Sequence, residues 1–148
     1  MTTRTAFLIG ALAVVAIAGV GQANGVLRAQ QARTTWSGVY TVGQAQRGDA
    51  IFEDRCASCH GSDLSGGGFA PALAGTAFTA NWDNLTLDDL LDRIRTTMPQ
   101  DKPGTLSRQQ NTDLVAFILN KGGFPAGDAE LSPQPELQKQ IAFKATRP

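Results

Sequence analysis

The chain has 148 residues, 42% hydrophobic and 18% charged: enough apolar material for one compact domain, and too little charge for a disordered polyelectrolyte. Thirteen basic side chains balance thirteen acidic ones, so the cationic surface that phosphate neutralisation requires is missing and nucleic acid is not expected as a partner. Two cysteines, one histidine and two methionines leave few groups able to carry catalysis or hold a metal.

In chain order, Arg4 precedes an uninterrupted run of apolar and small residues from Ala6 to Val20, followed by Gly21, Gln22, Ala23 and Asn24. A basic start, an apolar centre and small residues at a cleavage point make residues 1–23 a secretory signal peptide, cut after Ala23 or nearer Ala32. The alternative is a retained anchor, which reaches spanning length only if Gln22 and Asn24 are tolerated and the stretch extends to Leu27; only then is the membrane a partner. Cleavage removes a single charge, Arg4, and leaves a net charge of −1. No cysteine precedes Cys56, which argues against a lipidated start. The expected location is the periplasm or another exported compartment, membrane-anchored if the segment is kept. Residues 24–40 show neither helical nor strand periodicity and read as a leader, with the folded domain expected over 41–123.

Three helices are predicted. Thr41-Val-Gly-Gln matches a capping box, and Ala45, Gly48, Phe52 and Cys56 recur along one stripe, so the first helix ends at the cysteines. Thr86 and Asp89 form a second box ahead of Leu87, Leu90, Leu91 and Ile94; Pro99 stops that helix and makes Met98 its exit residue. Ser107 and Gln110 open the third, which runs through Leu114, Phe117 and Ile118 to Lys121 and ends at Gly122-Gly123. Pro125, Pro133 and Pro135 break up residues 124–148 into a tail, with one short helical turn expected between Glu136 and Phe143. No segment alternates as a strand does, and the fold class is all-α. Three short helices with long Gly/Pro-rich connections bury little surface by themselves, so a large apolar object is expected at the centre.

Cys56-Ala57-Ser58-Cys59-His60 supplies one. C-x-x-C-H is the attachment signature of haem c: both thiols add to the vinyl groups of one haem, and the adjacent imidazole reaches the iron. A thioredoxin-like C-x-x-C needs a βαβ context that is missing and leaves His60 unexplained. A structural zinc site wants four ligands, and a disulfide across this loop closes too little chain to stabilise much. If His60 is one axial ligand, the second is a soft or imidazole donor downstream, and Met98 is the sole methionine besides the initiator. Lys102 and Lys121 are poor donors when protonated. The alternatives are that Met98 fills a core gap, or that the iron is five-coordinate and open to ligands. Gly66 to Gly68 either lets the backbone approach the haem or, the reading preferred, is a flexible loop, and Asp88, Asp89, Asp92, Arg93 and Arg95 are read as the solvated face of a helix.

From Thr41 to Gly123 the chain resembles class I cytochrome c: an amino-terminal helix with Gly48 and Phe52, the Cys56–His60 motif, a Pro71-Ala72-Leu73-Ala74-Gly75 segment, a Met98-Pro99 pair and a final amphipathic helix. The resemblance implies that the terminal helices cross closely, Gly48 facing Leu114 and Phe117, and that the Pro71 carbonyl holds the ring N–H of His60. Phe117 stands where an aromatic with a polar tip is common, and the carboxy-terminal tail is longer than usual. The Trp36-Ser37-Gly38-Val39-Tyr40 stretch and the Asn81-Trp82 pair are similar to small cytochromes c associated with quinoprotein alcohol dehydrogenases. Trp82 either donates its indole N–H to a haem propionate or packs with a wet edge. A His60/Met98-ligated iron has no open position, so the expected function is electron transfer rather than catalysis. Its partners would be redox proteins, a dehydrogenase as donor and an oxidase or another cytochrome as acceptor. The rival is a haem enzyme or gas-binding protein with a vacant sixth site.

Overall fold

A threonine hydroxyl starts the first helix: Thr41 Oγ1 accepts the Gln44 N–H at 3.1 Å and α1 runs Val42–Arg55. The computed structural model describes residues 32–148; the expected signal or anchor segment and the start of the leader lie outside the described residues. After α1 come α2 (Ala57–His60), α3 (Gly75–Trp82), α4 (Leu87–Thr97), α5 (Arg108–Lys121) and α6 (Pro135–Gln138). Two-residue strands β1 (Arg33–Thr34) and β2 (Ile141–Ala142) pair in parallel. The architecture is all-α, and among the described residues no helix is long and apolar enough to cross a membrane.

The boxes at Thr86/Asp89 and Ser107/Gln110 are both complete. The box at Thr41 is only half made. Gln44 is fully buried and spends its side chain on the tail instead: its Nε2 donates to the Leu131 carbonyl at 3.0 Å, and its Oε1 accepts the Leu131 N–H at 2.8 Å. Two backbone groups of a buried loop are thereby satisfied, which is worth more than a reciprocal cap on an exposed helix end.

Helices α1 and α5 cross at Gly48. A Cβ there would lie 2.0 Å from the Asp113 carbonyl oxygen and 2.8 Å from Phe117 Cβ, so only glycine permits this approach. Phe52 and Phe117 stack beside it with ring centroids 5.0 Å apart. All of Asn111–Leu119 is buried, because α5 is covered by α1 on one side and by α4 on another. Arg47 of α1 closes the crossing's edge with a fork onto Asp113, Nε to Oδ2 at 3.0 Å, and a contact to Glu130 at 2.9 Å.

Residues 32–40 and 124–148, on either side of the 41–123 domain and expected as part of the leader and as the tail, belong to the same compact unit as that domain. Val39, Tyr40, Leu131, Ile141 and Phe143 are all core residues. The Tyr40 hydroxyl donates to the Phe124 carbonyl at 2.7 Å, and the ring of Trp36 lies 4.8 Å from that of Phe124. Gly38, at φ +62°, and Gly127 touch backbone to backbone: a Cβ on Gly127 would sit 2.1 Å from the Gly38 oxygen. The extra helical turn expected between Glu136 and Phe143 is displaced by one residue at its start and cut short at Gln138. Beyond it the chain extends to pair with β1, and a helix cannot serve as the partner of a strand.

Candidate haem-attachment site

The motif folds as a single helical turn. Helix α1 ends at Cys56, whose N–H still reaches the Phe52 carbonyl at 2.8 Å, and Cys59 and His60 both return their N–H groups to the Cys56 carbonyl at 3.1 and 3.0 Å. Residues three apart on a helix share a face, so this turn presents the two thiols on one side. They form no disulfide with each other; Cys56 is half-buried and Cys59 exposed. In the haem-free chain, burial pushes the Cys56 thiol up to about 11. Among the described residues no group of three or more His, Cys, Asp or Glu side chains is placed to hold a metal ion.

His60 is 7% exposed, and its Nδ1 lies 2.8 Å from the Pro71 carbonyl oxygen. A carbonyl only accepts, so Nδ1 must carry the proton, and the lone pair of Nε2 is left free for a metal. The loop that delivers Pro71 is tightly folded. Gly61 turns the chain at φ +74°, the Gly66 N–H donates to the His60 carbonyl at 2.8 Å, and the Leu73 N–H donates to that of Leu64 at 2.9 Å. At Gly66, φ +80°, a Cβ would fall 2.7 Å from both Ala70 O and Ala72 N. Gly66 is therefore a structural necessity for Pro71's position and not a member of a merely flexible loop. The glycine run was visible in the sequence; which glycine mattered was not.

The described core around the motif is apolar. Leu64 is fully buried and Phe78 nearly so, with Leu73, Ala74 and Trp82 partly buried against them. Trp82 ends α3, a helix beyond the three predicted ones, and its ring stands 6.3 Å from that of Phe78. Met98 is the half-buried C-cap of α4, as expected for its exit residue, with extended backbone and its N–H on Ile94 O at 2.9 Å. A cleft of about 380 Å³ opens between the end of α1, at Ile51, Asp54 and Arg55, and the Thr105–Leu106 segment that follows the Met98 turn.

An all-α fold of short helices, with a C-x-x-C-H turn at the end of the first and a proton-fixed histidine inside, defines a c-type cytochrome of class I architecture, the class that carries haem c covalently. The chain belongs to the family described as cytochrome c oxidase, cbb3-type, subunit III, which matches residues 43–118, just over half of its length. It is also similar, at 26% identity and a TM-score of 0.52, to a chain in the crystal structure of the sulfane dehydrogenase SoxCD from Paracoccus pantotrophus. That match covers 78% of this chain and 62% of the other, so this chain spans less than two thirds of the protein it resembles. Comparison with curated proteins gives no match. Electron transfer is the work of this family.

Proposed function

We propose that the protein is an exported monohaem electron carrier in which Cys56 and Cys59 would hold the haem covalently through their sulfurs and His60 and Met98 would be the two side chains on its iron. The observation that carries the reading is the 2.8 Å contact between His60 Nδ1 and the Pro71 carbonyl, which commits the imidazole to the tautomer a metal ligand requires. When bound, the haem supplies a reversible one-electron iron couple. The chain does the rest: two thiols tether the group against loss outside the cytoplasm, the Pro71 carbonyl orients the imidazole, and the Met98 thioether favours ferrous iron and so raises the potential. Trp82, at the end of α3 and partly buried beside Phe78, would serve as an indole donor to a haem propionate or as packing with a wet edge.

Held by both His60 and Met98, the group would supply one-electron exchange with no position left for a substrate, which makes the protein a carrier and not an enzyme. Its donor is a dehydrogenase and its acceptor an oxidase or another cytochrome. The likeness to a chain of a sulfane dehydrogenase structure supports a dehydrogenase as donor. The Trp36–Tyr40 and Asn81-Trp82 stretches support a quinoprotein alcohol dehydrogenase among that class. Carriage to the exported compartment rests on residues 1–23.

The test is the resting spectrum and ligand binding of the haem-loaded chain, with Met98→Ala beside it. The expected wild type keeps its haem through denaturation, is low-spin in the ferric state with a sulfur-to-iron charge-transfer band, and binds carbon monoxide slowly. Met98→Ala is expected to lose the band, lower the reduction potential and bind carbon monoxide rapidly. High-spin wild-type iron that binds carbon monoxide as fast as the variant would overturn Met98 as ligand and establish an open sixth site.

A further inference from the structure

The α3–α4 turn, Asp83 to Thr86, is held along its length by residues 142–145. Asn84 N–H donates to Phe143 O at 2.9 Å, and Phe143 N–H donates back to Leu85 O at 2.7 Å. The Ala145 N–H donates to Asp83 Oδ1 at 2.8 Å, and Thr86 bridges to Ala142. On its opposite edge the same stretch is fixed by the amino-terminal strand: Thr35 N–H reaches Ala142 O at 3.0 Å, and Trp36 Nε1 donates to Lys144 O at 2.9 Å. The Phe143 ring is fully buried between Phe78 and Phe124, at centroid distances of 6.2 and 5.3 Å.

Helix α4 leads from this turn to Met98, and its anchoring is lopsided. Leu87, Leu90 and Leu91 are buried in its first half, while beyond them only Ile94 packs in part against the core. An α-helix rises 1.5 Å per residue, so Thr86 and Met98 stand about 18 Å apart along a stiff rod; a tilt of about 10° at the turn would move Met98 by about 3 Å. That displacement exceeds the tolerance of a metal–sulfur bond.

We propose that Ile141–Ala145 is a positioning strap that sets the tilt of α4 and so holds Met98 in place as an iron ligand, with Phe143 as its anchoring side chain. The proposal rests on the assignment of Met98 as ligand. Phe143 packs its ring on Phe78 and Phe124 and its backbone on Asn84 and Leu85; it acts through the turn.

The haem-loaded full chain is compared as wild type, Phe143→Ala and Phe143→Leu. Thr41→Ala serves as control, since it weakens the start of α1 and touches neither strap nor α4. In Phe143→Ala the open-site population, read as the rate of carbon monoxide binding, is expected to rise by about tenfold, equivalent to about 1.4 kcal/mol in local opening. The sulfur-to-iron charge-transfer band weakens in step. Phe143→Leu is expected to move both readouts in the same direction by less, and Thr41→Ala to lower overall stability with both unchanged. Wild-type ligand binding and band intensity in folded Phe143→Ala, or in Phe143→Leu should the alanine variant not fold, would overturn the strap. An equal rise in Thr41→Ala would overturn it as well, by showing that global loosening suffices. Rapid carbon monoxide binding by the wild type would overturn the Met98 assignment, and the strap with it.

Discussion

Two glycines of one helix should respond in opposite directions to the same added methyl group. Gly43 and Gly48 both lie in α1, where alanine is favoured over glycine by about 1 kcal/mol from backbone entropy alone. At Gly43 a Cβ meets nothing within 4 Å, so Gly43→Ala is expected to stabilise by about 0.5 to 1 kcal/mol. At Gly48 the Cβ falls 2.0 Å from the Asp113 carbonyl oxygen. Ordinary contact needs about 3.4 Å, so α5 must retreat by about 1.4 Å across a packed face, and the obstacle is backbone that has no rotamer to change. Overpacking of this kind costs about 3 kcal/mol; less the propensity gain, Gly48→Ala is expected to destabilise by about 2 kcal/mol. Urea titrations of the haem-loaded chain should show the midpoint rising for Gly43→Ala and falling for Gly48→Ala at an unchanged slope. At roughly 3 to 6 °C per kcal/mol for a unit of this size, the melting temperature of Gly48→Ala falls by about 6 to 12 °C. A Gly48→Ala variant as stable as the wild type would refute the close crossing of α1 and α5.

Gln44→Leu leaves the buried Leu131 N–H and carbonyl unpaired and should cost about 2 to 4 kcal/mol by the same titration; a neutral result would mean the Gln44–Leu131 pair is not formed. Asp89 is held below the usual carboxylate range, first by the Thr86 hydroxyl and then by the Thr86 backbone N–H. Its contribution is therefore present above the unfolded-state pKa near 4 and is lost as pH falls through the lower folded value. Asp89→Asn should narrow the stability gap between pH 6 and pH 3, a gap of at most about 1 kcal/mol for so exposed a cap, and an unchanged gap in urea midpoints would count against the box. Replacing Cys56 and Cys59 together by Ala is expected to abolish covalent haem and leave a chain without stable tertiary structure; a compact, protease-resistant product would contradict the view that the porphyrin completes the core.

The parts of the protein that residues within about four positions of each other decide were legible without a structure. Thr86/Asp89 and Ser107/Gln110 cap their helices through contacts three residues apart, Met98 stops α4 ahead of a proline, and Cys56, Cys59 and His60 fall on one turn because the motif is that short. Local spacing defines local geometry, since a hydrogen bond three residues long needs no other part of the chain. What tertiary structure alone decided joins residues far apart: Thr35 to Lys144 across 109 positions, Gln44 to Leu131 across 87, and Gly38 against Gly127. Residues 33–40 and 124–145 carry no periodicity that marks them as core. Val39, Tyr40, Phe124, Leu131, Ile141 and Phe143 within them are buried because each stretch supplies the backbone partners and aromatic rings the other lacks. The same holds for Gln44, whose position three residues after Thr41 favours a cap, yet whose side chain goes to Leu131. A buried, unpaired loop is costlier than a frayed helix end, and only the fold brings that loop within reach.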